Sequence, residues 1–318
     1  MQASAALTGT LGYLAACLLF GLNLPLSAAL LQTFDPFWVS PLRYVVAAAL
    51  LGVLLLASAG ARQLRTPIPL WRVAVLSFYV AAFLVLYNLG LYRTHPMTVA
   101  AVSAGSPVYV ALVSRLMTGA RLERGFWGAT VLTLLGAGIA IWGQTRAGIG
   151  ARRGSGHAFG LGGGELLVVL GICSWTAYSI LAQRWFAAGT PQLRRTFLTT
   201  AGALPWLLLA WALARAVGLA GAPNLQPGPL PLAQLLVAAV FCTGLATVAW
   251  NVGVSRLGIQ SGGLWQNTVP VFAVLLSMLL FDVPPLAEQV IGGAVVLAGV
   301  LYMQWQRWRS TAAGRSRA

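Results

Sequence analysis

Long apolar runs alternate with short polar interruptions along this chain, and the runs are of nearly constant length. Ten of them reach the roughly 20 residues that a helix needs to cross a hydrocarbon core: 8–31, 37–58, 71–91, 97–117, 125–143, 164–185, 196–217, 232–252, 262–281 and 287–307. The breaks between them carry turn chemistry or charge: Asp35-Pro36, Arg65-Thr66-Pro67, His95-Pro96, Arg121 to Arg124, Thr190-Pro191, Pro223 to Pro231 and Asp282-Val283-Pro284-Pro285. The longest break, 144–163, is rich in Gly and Arg and divides the runs five and five. The pattern predicts an all-α integral membrane protein of ten transmembrane helices.

The two sets of five are copies. Asn88-x-Gly90-x-x-Arg93 is followed fourteen residues after its Arg by Pro107, and Asn251-x-Gly253-x-x-Arg256 is followed at the same distance by Pro270. All four matched positions are offset by 163 residues. The expected organisation is therefore a first five-helix repeat over 8–143, a polar linker over 144–163, a second repeat over 164–307 and a basic tail over 308–318. Because five is odd, the second repeat enters the membrane from the opposite side. The halves are then inverted about an axis in the membrane plane, around a central cavity near the midplane.

Composition agrees with a lipid environment. Of 318 residues, 58% are hydrophobic and 8% charged, against about 25% charged in a soluble domain. The net charge of +15 comes entirely from Arg. These arginines are scattered between apolar runs rather than gathered on one stripe, which excludes a nucleic-acid partner. Placing the N-terminus inside leaves Arg43, Arg93, Arg146, Arg152, Arg153 and Arg215 outside and the other fourteen of twenty inside. By the positive-inside rule both termini are cytoplasmic, in the cell (inner) membrane. The first run has no basic segment before it and is too long for a cleaved leader, so it reads as a retained span. Cys17, Cys173 and Cys242 are odd in number and lie within apolar runs, and neither His95 nor His157 has a partner at ligand spacing. No disulfide, metal or cofactor is expected.

The order of motifs resembles the ten-helix EamA-type transporters of the drug/metabolite transporter superfamily. The likeness rests on Phe20-Gly21-Leu22-Asn23, close to that family's Trp-Gly-x-Asn, on Leu42-Arg43, and on Asn88-x-Gly90-x-x-Arg93 through Pro107 to Glu123 and Trp127-Gly128. In the second half it rests on Glu165, Cys173-Ser174-Trp175, and Asn251 through Pro270 to Glu288 and Ile291-Gly292. It spans roughly residues 8–305, and Phe20 stands where Trp is usual. The resemblance implies export or uptake of small metabolites, often amino acids.

Several residues are candidates for the transport site. Pro107 and Pro270 fall in mid-span and cannot donate to the carbonyls of Ser103 and Gln266, which are equivalent under the repeat. Either those carbonyls, with Trp265, Gln266 and Asn267, line a cavity with Pro107 and Pro270 as kink or gating elements, or the prolines are only kinks and Ser103 and Gln266 bond to adjacent helices. Arg43 lies about 9 Å into the second span. It either binds a substrate carboxylate, or snorkels to the outer headgroups or bonds helix C-termini. Asn23 is a further candidate contact, one turn from Ser27. Tyr79, Trp175 and Tyr178 form a possible stacking wall. Asn88, Arg93, Asn251 and Arg256 are expected to be structural, the arginines meeting helix C-termini and the amides bridging helices. The five acids, Asp35, Glu123, Glu165, Asp282 and Glu288, map to span ends or loops.

The expected function is transport of small neutral or anionic metabolites, with amino acids foremost, by alternating access and as an exporter. The expected partners are a small-molecule substrate and the lipid bilayer, with monomer and homodimer both open. A multidrug exporter of the same superfamily is the alternative. An intramembrane enzyme would need a Ser/His pair, paired acids or a metal cluster at membrane depth, and a non-transporting membrane partner would leave the duplication unexplained.

Overall fold

The computed structural model describes residues 2–93, 102–119, 121–122, 125–146, 164–281 and 286–315. Among these residues there is no strand, and eight helices are long and apolar enough to cross a membrane. They are α1 (Gln2–Leu30), α2 (Pro36–Ala59), α3 (Leu70–Arg93), α5 (Phe126–Arg146), α6 (Gly164–Trp185), α7 (Gln192–Ala216), α8 (Pro229–Leu257) and α11 (Ala287–Arg315). The shorter helices α4 (Ser106–Thr118), α9 (Ile259–Gln266) and α10 (Val269–Phe281) fill the fourth and ninth apolar runs. His95, Glu123, Arg124, His157, Asp282 and most of the linker, 147–163, lie outside the described residues.

Local chemistry sets the helix ends. Asp35 caps α2, its Oδ1 accepting from the N–H groups of Phe37 at 2.8 Å and Trp38 at 3.2 Å, with Pro36 at the first position, where no N–H is missed. Gly258, at φ 76°, turns the chain between α8 and α9. Helix ends differ from the apolar runs where polar residues extend them. α7 begins at Gln192 rather than 196, and α5 continues to Arg146.

The fourth and ninth runs are broken rather than kinked. Gly105 interrupts one and Asn267-Thr268 the other, and Pro107 and Pro270 each occupy the second position of the helix that follows. A proline in the first turn costs nothing, because that N–H has no intrahelical acceptor. The chain therefore restarts a helix at each proline.

Helices pack mainly between halves: α5 against α11, α3 against α6, α1 against α8, α2 against α7, and α4 against α9. α2 runs antiparallel to α7, and α5 to α11. Trp38, early in α2, stacks on Trp211, late in α7, at 4.8 Å, and Asp35 Oδ2 accepts from Gly221 N at 2.7 Å. At the other end Arg194 donates to the Arg65 carbonyl at 2.6 Å, and Trp71 meets Trp185 at 5.5 Å. α5 and α11 approach most closely where Gly136 and Gly292 face each other, each leaving no room for a Cβ beside the other's carbonyl. The outer faces are apolar. Leu7, Leu11, Leu14 and Leu18 form an exposed stripe at helical spacing on α1, opposite buried Tyr13, Ala16 and Cys17, as expected where lipid replaces water.

Candidate functional site

Three features converge between the halves. The first is an aromatic cluster. Tyr13 and Phe20 of α1, Trp175 and Tyr178 of α6, Trp250 of α8 and Trp265 of α9 share one core. Trp250 touches Tyr13 at 5.2 Å, Trp175 at 6.0 Å and Phe20 at 6.2 Å. Trp175 also meets Tyr178 and Phe83, each at 5.2 Å. Tyr13 stacks on Trp265 at 6.3 Å, and the Trp265 indole N–H is buried without an acceptor among the described residues. Tyr79 is half-buried at the cluster's margin.

The second is Arg43. It sits seven residues past Pro36, about 10 Å along the helix axis, and is half-buried. Its Nη2 donates to Asn23 Oδ1 at 2.7 Å and Thr243 Oγ1 at 2.8 Å. Nε reaches Thr243 Oγ1 at 3.2 Å, and Nη1 reaches Ser27 Oγ at 3.3 Å. The side chain thus points inward and does not snorkel. It ties α1 and α2 to a π-helical segment of α8, Ala238–Leu245. That segment lets Thr243 Oγ1 donate to the Ala238 carbonyl at 3.2 Å, leaving the hydroxyl's lone pairs for Arg43. Among the described residues all partners of Arg43 are neutral.

The third is the meeting of the two breaks. Asn267 Nδ2 donates to the Ala104 carbonyl at 3.1 Å, and these residues are 163 apart, each the repeat-equivalent of the other. Ser106 Oγ bonds the Gly263 carbonyl at 3.3 Å and lies 3.4 Å from Asn267 Oδ1. Ser106 is thus the side chain that meets Asn267 across the breaks, three positions beyond the expected substrate contact Ser103. Ser103 Oγ is instead buried next to Tyr87. Gln266 is half-buried and has no side-chain partner among the described residues.

The expected structural residues are placed as follows. Arg93 and Arg256 are exposed in the last turns of α3 and α8. Asn88 Nδ2 reaches Ser40 of α2 at 3.4 Å. Asn251 Nδ2 reaches Thr196 of α7 and Tyr178 of α6, both at 3.0 Å. Glu165 and Glu288 lie in the first turns of α6 and α11. Sequence reasoning missed Thr243, Tyr13, Trp250 and Ser106. The i, i+4 pair Thr243 and Thr247, mid-run between Gln234 and Asn251, was the available signal for the first.

Comparison with known proteins gives a consistent picture. The model of the EamA-like transporter family matches residues 7–142 and 162–305. Two relatives from Bacillus subtilis (strain 168) align along most of their length. The uncharacterized transporter YyaM is 24% identical over 269 residues, 84% of each chain. The uncharacterized transporter YetK is 23% identical over 287 residues, 90% of this chain and 83% of its own. A protein crystal structure, 21% identical, shares the fold with a TM-score of 0.76 over 97% of this chain and 99% of its own.

Proposed function

Because the chain belongs to the EamA-like transporter family, and so is a membrane transporter, we propose that it carries small neutral or anionic metabolites, amino acids foremost, out of the cell by alternating access. The observation that carries this reading is Arg43: a cation at membrane depth, held by neutral acceptors from both halves. A lone intramembrane Arg marks a substrate or ion path, and a planar guanidinium suits a carboxylate.

The rest of the reading rests on the repeats. Antiparallel packing of repeat-equivalent helices supports two inverted five-helix units and ten spans, the fourth and ninth discontinuous. Discontinuous helices at a repeat interface are where such transporters bind substrate. Trp265 and Gln266, with Ser103 nearby, form the midplane contacts, and Asn267 holds the two breaks together beside them. Asn23 and Arg43 take the carboxylate, and Trp175, Tyr178 and Tyr79 flank the apolar part. Rocking of one unit against the other exposes this site alternately, with both termini cytoplasmic and the linker outside. A cationic-drug exporter is less well supported, since the described residues around the aromatic cluster offer no carboxylate.

The test is counterflow in liposomes with a panel of labelled amino acids and metabolites. Arg43→Gln should reduce transport of a carboxylated substrate more than that of an uncharged analogue. Equal losses for both assign Arg43 a structural role and remove the support for an anionic group.

A further inference from the structure

Arg195 is shielded from solvent, 3% exposed. Its place in the sequence suggests a cytoplasmic loop, but α7 begins at Gln192, so it lies inside the helix. Nη1 donates to Gln183 Oε1 at 2.9 Å and Nη2 to the Ala187 carbonyl at 2.6 Å. The guanidinium lies 5.6 Å from the Phe186 ring centroid. Nε has no partner among the described residues, and no carboxylate is present in the cluster. The next residue, Thr196, joins Asn251, which is 1% exposed and whose Oδ1 also has no partner among the described residues. Asn251 in turn joins Tyr178, 3.3 Å from Thr199 Oγ1. Three helices thus build a buried polar cluster that holds a cation, an unmet donor and an unmet acceptor.

The cluster stands at the opposite end of the molecule from Arg43. Trp38 lies against Trp211 on antiparallel helices, so Arg43 is level with Trp206, its repeat-equivalent. Arg195 is eleven residues from Trp206. That distance is three turns, about 16 Å, on the same helix face. Tyr178 of the aromatic cluster belongs to this network, and Trp250 of the same cluster is the chain neighbour of Asn251.

We propose that Arg195, with Asn251, is a second anion station, which receives the carboxylate of the substrate on the cytoplasmic side while Arg43 receives it on the outer side. The proposal rests on the transport of carboxylated substrates argued above. A guanidinium inside the fold without a counter-ion suits a carboxylate, and two of them on either side of the aromatic cluster define a relay for one charge. The unmet Asn251 Oδ1 adds an acceptor for an N–H or O–H of the same ligand.

Gln183→Glu tests this without removing the arginine. The new carboxylate takes the 2.9 Å bond of Gln183 Oε1 and supplies the missing counter-ion. The probes are L-alanine and L-lactate, each against its uncharged analogue, N-acetylalaninamide and lactamide, in liposome counterflow. The expected result is a carboxylate loss at least tenfold greater than the amide loss, with thermal stability unchanged or raised. Equal effects on both, or wild-type carboxylate transport, overturn the proposal by showing that Arg195 is only a cap on the end of α6. If Gln183→Glu fails to insert, Arg195→Gln carries the same comparison, and equal losses overturn the proposal there too. Wild type that moves neither carboxylate overturns the proposal together with its premise. Loss in Arg43→Gln but not in Gln183→Glu overturns the second station alone.

Discussion

Asn267→Ala separates the residues that hold the two breaks together from those left free to meet a substrate. Asn267 is 3% exposed, and its amide nitrogen is 3.1 Å from the Ala104 carbonyl. That carbonyl is released by the turn at Gly105, because Val108 N bonds Gly105 O at 2.9 Å instead. Removing the amide leaves a buried acceptor unsatisfied, which costs about 1–3 kcal/mol. Interhelical hydrogen bonds in membranes average only about 0.6 kcal/mol, since other partners are found when they break. Ser106 keeps its bond to the Gly263 carbonyl, so the expected loss is about 1–2 kcal/mol. At about 2–4 °C per kcal/mol for a chain above 150 residues, the melting temperature should fall by several degrees. The assay is thermal unfolding of purified protein in detergent, read by a thiol-reactive dye on the buried Cys17 and Cys242. Gln266→Ala, one residue earlier and without a side-chain partner among the described residues, is the control. It should keep the wild-type melting temperature and lower substrate affinity. A Gln266→Ala variant as unstable as Asn267→Ala, or an Asn267→Ala variant of wild-type stability, refutes the reasoning.

Gly292→Leu should be destabilised by about 1–3 kcal/mol, since any side chain there meets the Gly136 carbonyl, whereas Gly138→Ala, facing open space, should melt within a degree of wild type. Both are read in the same dye assay. Cysteine introduced at Ser155, in the linker outside the described residues, should react with an impermeant thiol reagent in intact cells once Cys17, Cys173 and Cys242 are removed, and reaction only after lysis reverses the proposed orientation. Counterflow should not depend on an imposed pH gradient, because Glu165 and Glu288 lie in the first turns of their helices and not at mid-membrane. Proton-driven accumulation that vanishes when either is neutralised would contradict this.

The sequence by itself determined which segments are apolar enough to be candidate spans, that one motif recurs at an interval of 163 residues, and which two runs carry a proline at mid-length. Lipid offers no hydrogen bonds, so a span must be apolar for about 20 residues and must satisfy its own backbone. Proline can only begin a helix or damage it. These constraints act on single residues and on run lengths, and both are visible in the chain. Arg43 was legible for the same reason, as a charge well inside an apolar run, and so was Asn23, one turn from Ser27.

Tertiary structure decided which polar groups meet. The helix breaks at Gly105 and at Asn267-Thr268 set which side chains meet there, Ser106 and Asn267. A shift of four residues in the start of α7 moves Arg195 from a solvated loop into a buried cluster, and run length cannot resolve a boundary that finely. The hydrophobic pattern does not distinguish the π-helical segment of α8 that holds Thr243 against Arg43. The polar partnerships depend on helix rotation and contact between distant segments, and those are properties of the packed molecule alone.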